Sequence, residues 1–318
     1  MPNILVTGGA GNIASALTAK LAENPSNFVV VADNLLTGSL KKVPRHLSNV
    51  NFLKCDVNKL DDIAPLFFIN KFDYVFHFAA VVGVQRTLAN PILVLRDIQG
   101  IENILNLCKN TGVRRVYYSS SSEVYGEPFE IPQNEKTTPL NSRLPYAVVK
   151  NVGEAYLTSY KREYDLNYTI FRFFNTYGPN QTEDFVLPKF VRQAMCDGPI
   201  TIYGDGSQTR TFCYVDDTVE SCINAHYKQA FINDVVNIGG AQEISILDLA
   251  RKVIEVCRSN SEMKFLPPLS EGDMTRRCPD VTKMLTLLER APISLTEGIS
   301  KLREFFASSD NAIHTLEP

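Results

Sequence analysis

Ile4-Leu5-Val6-Thr7-Gly8-Gly9-Ala10-Gly11-Asn12-Ile13-Ala14 is the stretch from which the rest of the chain can be read. Its apolar start reads as a short strand, and Ile13 to Glu23 reads as the amphipathic helix that follows. Gly8 or Gly9 permits the tight turn between them, and Gly11 lets the backbone approach a pyrophosphate with no Cβ in the way. Ala14 is the small residue needed where the helix crosses the strand. Asn12 and Ile13 open the helix, whose free N–H groups and positive dipole end suit a phosphate. A glycine cluster alone is weak evidence, because any tight turn favours glycine. The next strand, Phe28 to Ala32, adds weight by running into Asp33 and Asn34. A carboxylate placed about twenty residues beyond the glycines accepts both ribose hydroxyls of NAD and repels the extra phosphate of NADP.

Working outward, Asn51 to Leu53, Tyr74 to Phe78, Arg115 to Ser119 and Tyr168 to Phe171 read as further strands. They are brief and nearly all apolar, as parallel strands covered on both faces must be. Helical stretches, including Pro91 to Asn110 and Tyr146 to Arg162, lie between them. The alternation predicts an α/β fold, a Rossmann-type doubly wound parallel sheet. Turn-rich segments follow Asn175 and predict a smaller α+β substrate-binding domain. The expected division assigns 1–173 and about 212–238 to the NAD-binding domain, and 174–211 and 239–318 to the second. The residues from Ser309 onward are mostly polar and read as a loose tail. Two more segments suit the cofactor pocket. Cys55-Asp56-Val57 follows the third strand, where Asp56 can meet the adenine amino group, and Ala79 leaves room for a ribose beyond the fourth.

Composition narrows the function. Of 318 residues, 44% are hydrophobic and 21% charged, an ordinary globular balance. A net charge of -3 without a dense basic cluster argues against nucleic acid. No apolar run approaches the roughly 20 residues that span a bilayer, and the N-terminus lacks the features of a signal peptide. The seven cysteines are scattered with no CxxC pair, so neither a disulfide framework nor a metal site is expected. Reduced thiols in a cytoplasmic setting fit this pattern.

The candidate chemistry lies at Tyr146-Ala147-Val148-Val149-Lys150, which puts a phenol and an ammonium on one face of a helix that Pro145 starts. A free tyrosine titrates near pH ~10 and is a poor base at neutrality. A neighbouring Lys150 ammonium, helped by the positively charged nicotinamide ring, favours the phenolate, so Tyr146 can take a hydroxyl proton as hydride leaves the same carbon for NAD. Tyrosine and lysine at this spacing are common on solvated helices. Here the serine-rich stretch Ser119 to Gly126, leaving the fifth strand, strengthens the case. That strand edge is where doubly wound sheets bind ligands, and a serine there can hold the reacting oxygen.

These residues resemble the extended short-chain dehydrogenase/reductase family, in its nucleotide-sugar epimerase/dehydratase branch. The resemblance rests on TGGAGNIA (7–14), SSSSEVYG (119–126), YAVVK (146–150), RFFNTYGPNQ (172–181), YGDGSQTRTFCYVDD (203–217) and RRCPD (276–280). It implies Ser121, Tyr146 and Lys150 as the catalytic trio. It assigns NAD to Gly8, Gly11, Asn12, Ile13, Asp33, Asn34, Asp56, Val57 and Ala79, with Lys150 reaching the nicotinamide ribose. Asn175, Arg210 and Arg277 match diphosphate-binding residues, a role that suits guanidinium forks. Tyr203 matches an aromatic that packs on a base, commonly uracil, and Val84, Arg86, Ser122 and Lys189 complete the substrate set. The resemblance also implies a homodimer joined through helices near 91–110 and 146–162.

Members of the branch begin by removing hydride, usually from carbon 4 of the sugar. A UDP-sugar 4-epimerase working through a 4-keto intermediate is the leading expectation. Glu123 carries the alternatives, a 4,6- or 5,6-dehydratase or a UDP-glucuronate decarboxylase that uses it as an additional acid/base. A bland reading of Glu123 is a carboxylate that caps loop N–H groups. A non-catalytic NAD-binding regulator is the remote alternative, since fold alone does not establish function.

Overall fold

The computed structural model describes residues 1–268 and 276–314, with the side chains of 84, 85 and 309–314 excepted. Seven parallel strands form the central sheet: β1 (Asn3–Thr7), β2 (Phe28–Asp33), β3 (Val50–Lys54), β4 (Tyr74–His77), β5 (Arg115–Ser121), β6 (Asn167–Phe173) and, far along the chain, β11 (Asp234–Ile238). Their spatial order is β3-β2-β1-β4-β5-β6-β11. The order reverses between β1 and β4, and a crevice opens beyond the carboxyl ends of those two strands.

Alternation along each strand explains the layers. Leu5, Val30, Val75, Val116 and Ile170 face one core, with α2 (Leu60–Asn70), α5 (Asp97–Thr111) and α6 (Pro145–Tyr164) packed over it. Their neighbours Ile4, Val6, Val29, Val31, Phe76, Tyr117 and Phe171 face the other, under α1 (Asn12–Ala22) and α8 (Val215–Tyr227). Helix α1 buries Ala14, Leu17, Thr18 and Leu21, one stripe at helical spacing.

The remaining elements lie beside the crevice. They are α7 (Val186–Met195), β8 (Ile200–Tyr203) paired in parallel with β13 (Met263–Leu266), and β9 (Thr209–Thr211) paired antiparallel with β12 (Glu243–Ser245). A two-residue pair, β7 (Thr176–Tyr177) with β10 (Cys213–Tyr214), links them to the sheet edge. Helices α9 (Ile246–Cys257), α10 (Thr282–Leu287) and α11 (Leu295–His314) complete the chain. Two expectations need correction. The stretch from Pro91 is broken into α4 (Pro91–Leu95) and α5, preceded by the short α3 (Val84–Ala89). The backbone after Ser309 continues α11 through His314 and is no loose tail there, because the helix is already anchored by buried Ile299, Leu302 and Phe306. Among the described residues no helix is long and apolar enough to cross a membrane.

Candidate active site

One cleft of about 1120 Å³ runs across the carboxyl edge of the sheet. Every residue expected to be catalytic or to bind cofactor or substrate lines it, apart from Val84, which lies outside the described side chains.

At one end the turn after β1 is built by backbone. Gly8 has φ of +69°, and a Cβ there would stand 2.7 Å from the backbone of Ala79. Gly8 is therefore the glycine that the turn and the β1–β4 approach demand. Gly11 caps α1 with no side-chain bond to its first turn, so the helix N–H groups are left for an anion. Asp33 ends β2 and braces this turn: Oδ2 accepts the Ala10 N–H at 3.0 Å and Oδ1 accepts the Leu35 N–H at 2.7 Å. Asn34 and Asp56 likewise accept N–H groups of Leu36 and Asn58, and Val57 supplies a carbonyl to Asn103. The glycine cradle, uncapped helix and strand-end carboxylate together fit a dinucleotide.

Thr7 pins the switch point. Its Oγ1 accepts the N–H groups of Phe78 and Ala79, each at 3.2 Å, so its own proton goes to His77 Nδ1 at 2.8 Å. Burial pushes His77 down to about 3, leaving the ring neutral to accept that bond.

Above the centre of the sheet stand Ser121, Tyr146 and Lys150. Pro145 at the start of α6 places Tyr146 and Lys150 one turn apart on the helix face toward β5. The Ser121 hydroxyl lies close enough to the Tyr146 phenol to lower its pKa, and it accepts the Glu123 N–H at 3.2 Å. Lys150 Nζ donates to the Ser119 carbonyl at 2.6 Å and lies 3.3 Å from its Oγ. The ammonium is thus turned to the strand and stands 5.7 Å from the Tyr146 ring centroid.

Burial dominates the electrostatics of these groups. Burial raises the Tyr146 pKa well above that of a free phenol, Glu123 adds to the rise, and Ser121 and Arg277 oppose it only in part. Burial also brings Lys150 down to about 8, with Asp97 opposing. Asp97, at the start of α5, accepts the Val81 N–H at 2.7 Å and is itself raised by burial. The sequence reading missed Asp97 and the role of Ser119. An acidic residue in a first helical turn looks like an ordinary dipole partner, and Ser119 is one of four consecutive serines.

The far end is assembled from separate segments. Arg277 Nη2 pairs with Glu123 Oε1 at 2.7 Å, and both side chains are largely buried. Glu123 Oε2 and Arg277 Nε are buried without a partner among the described residues. A simple loop-capping role for Glu123 does not match this arrangement. Asn175, with φ of +32°, donates from Nδ2 to the Thr211 carbonyl at 3.0 Å. Lys189 Nζ lies 5.4 Å from the Tyr203 ring centroid, and Arg210 Nη1 donates to the Thr209 carbonyl at 2.7 Å. Ser122 is buried beside Glu123, and Arg86 reaches across the mouth to Asp184 at 3.6 Å.

Comparison with known proteins places this geometry. The NAD dependent epimerase/dehydratase family matches residues 4–239. UDP-glucuronic acid decarboxylase 6 of Arabidopsis thaliana is 34% identical over 311 residues, which is 95% of this chain and 88% of the relative. UDP-glucose 4-epimerase of Thermotoga maritima, solved with UDP-glucose, superposes with a TM-score of 0.90 at 32% identity, covering 96% of this chain and 99% of the other. UDP-glucuronic acid 4-epimerase of Bacillus cereus, solved with UDP-glucuronic acid and NAD, gives 0.87 at 30% identity with the same coverage. This chain therefore belongs to the NAD dependent epimerase/dehydratase family, as an NAD-dependent enzyme of nucleotide-sugar chemistry.

Proposed function

We propose that this enzyme oxidises carbon 4 of a UDP-uronate, releases its carboxyl group as carbon dioxide and delivers a UDP-pentose. The observation that carries the proposal is the Glu123–Arg277 pair beside Tyr146, with one carboxylate oxygen and one guanidinium N–H unpartnered. Simple epimerisation at carbon 4 calls for no acid/base group beyond the serine and tyrosine. Similarity to the Arabidopsis decarboxylase supports the same reading.

Gly8, Gly11, Asn12, Ile13, Asp33, Asn34, Asp56, Val57 and Ala79 are the residues that would hold NAD, with Asp33 on the adenosine ribose and Lys150 on the nicotinamide ribose. NAD held there would supply the hydride acceptor for carbon 4 and the donor that reduces the ketone again. Tyr146 takes the carbon 4 hydroxyl proton while Ser121 holds the oxygen in line. Because burial raises the phenol in the structure, the positive charge that the cofactor brings, added to Lys150, would lower it in the working complex. The 4-ketone makes the carbon 6 carboxylate a β-keto acid, and its loss leaves an enolate oxygen that Ser121 and Tyr146 stabilise. Carbon 5 then needs a proton, and Glu123 is the carboxyl group in position to pass one. Asn175, Arg210 and Arg277 hold the diphosphate, Tyr203 and Lys189 the base, and Arg86, Val84 and Ser122 the sugar side. A homodimer built on the surfaces of α5 and α6 completes the proposal.

The second reading is a UDP-sugar 4-epimerase, supported by similarity to the Thermotoga maritima enzyme. Incubation with UDP-glucuronate in deuterated water tests the choice. Decarboxylation releases carbon dioxide and puts deuterium on carbon 5. A product of unchanged mass with no carbon-bound deuterium overturns it and leaves the epimerase.

A further inference from the structure

Beside the cleft runs a chain of buried polar contacts through Ser120, Glu154, Arg172, Tyr125 and Asn237, residues that the proposed chemistry does not use, and its two ends reach residues that it does. It begins at Ser120, the residue between Ser119 and Ser121. Ser120 Oγ donates to Glu154 Oε1 at 2.5 Å, and Glu154 grips Arg172 with both oxygens, at 2.9 and 2.6 Å. Arg172 Nη1 donates to the Tyr125 hydroxyl at 2.8 Å, which donates in turn to Asn237 Oδ1 at 2.8 Å. Asn237 Nδ2 donates to the Gln133 carbonyl at 2.9 Å. Gln133 is zipped to the chain just after Arg277: its N–H donates to the Cys278 carbonyl, and its carbonyl accepts the Asp280 N–H, both at 2.8 Å. Arg277 pairs with Glu123, whose N–H reaches Ser121, and the circuit closes one residue from where it began.

Ser120, Tyr125, Glu154, Arg172 and Asn237 are all at most 5% exposed. Polar groups that far from water cannot exchange partners freely, so the circuit holds its geometry as a unit. A buried ion pair is a poor source of stability compared with apolar packing, which leaves orientation as its physical use here.

We infer that the Glu154–Arg172 pair is a positioning element with two arms. One arm, through Ser120, sets the end of β5, where Ser119 holds Lys150 and Ser121 holds Tyr146. The other, through Tyr125 and Asn237, sets the segment that carries Arg277. The inference rests on the reading of Ser121 and Tyr146 as the reacting groups and Arg277 as a diphosphate ligand. The first arm then governs alignment in the transition state, and the second governs substrate binding.

Ser120→Ala and Tyr125→Phe each delete one hydroxyl and leave the ion pair whole. Steady-state kinetics would be run on the UDP-sugar that the unaltered enzyme turns over, with UDP-glucuronate tried first. Ser120→Ala should lower kcat by about tenfold or more with KM nearly unchanged, whereas Tyr125→Phe should raise KM by about tenfold with kcat nearly unchanged. Equal effects on the same constant, no effect in either variant, or the reverse split overturns the inference. Tyr146→Phe is assayed alongside. If it turns over normally, the assignment of the base fails; if it is inactive and the two arms do not split, only the positioning role fails.

Discussion

The two ends of the cleft are built differently. The proposed cofactor end begins with one continuous β-α-β run, and two of its features are backbone, the positive φ of Gly8 and the uncapped start of α1, joined by the Asp33 carboxylate at the end of β2. The proposed sugar end draws Arg86, Ser122, Glu123, Asn175, Lys189, Tyr203, Arg210 and Arg277 from separate stretches of chain, and its features are side chains. Backbone constraints tolerate almost no substitution, since a Cβ either fits or does not. Side-chain constraints can be altered singly, which is how one fold changes its sugar and its outcome while keeping its cofactor.

The sharpest break in this comparison lies between the ends, at the tyrosine that both must meet. Tyr146→Phe should reduce kcat by about 10³-fold while NAD still binds, measured by turnover and cofactor fluorescence titration. Retained turnover would remove the base from the scheme. Gly8→Ala tests the backbone claim. Its Cβ would meet the Ala79 backbone at 2.7 Å in a left-handed conformation. A loss of about 2 kcal/mol or more in stability is expected, with NAD affinity weakened in parallel; an unchanged melting temperature would refute the steric argument.

On the side-chain end, Arg277→Lys keeps the charge but loses the planar fork, one nitrogen of which pairs with Glu123. KM for the nucleotide sugar should rise about tenfold or more, with NAD affinity unaffected. If instead kcat alone falls, Arg277 serves the chemistry and not the diphosphate. The smallest effect is in pH. Burial lowers Lys150 to about 8, so raising the pH through that value removes the ammonium. Turnover should fall on the alkaline side of about 8, roughly tenfold per unit. Bound ligand can move this limb, but a rate still climbing at pH ~10, near the pKa of a free lysine, would show that the charge is not needed.

How much was legible follows the same division. The strands β1 to β6, the crevice at β1 and β4, and Gly8, Gly11 and Asp33 could be read because parallel strands are apolar runs and the turn has a short-range signature. The break between α4 and α5, the continuation of α11 past Ser309 and the strand β11 were not singled out, since each depends on packing against distant elements. Tyr146 and Lys150 were legible as a pair, but not the direction in which Lys150 points. A helix face specifies which side chains are neighbours; Ser119, from β5, decides where the ammonium goes.

The order of β1 to β6 along the chain, the glycine turn and the spacing of Tyr146 from Lys150 were therefore determined by the sequence alone, because they depend on residues close together in the chain. The Glu123–Arg277 pair, the circuit through Ser120, Glu154, Arg172, Tyr125 and Asn237, and the raised phenol of Tyr146 were decided only by tertiary structure. Desolvation and contact between different elements of the fold have no local signature. Only the packed molecule sets which buried charges meet and which are left with a free valence.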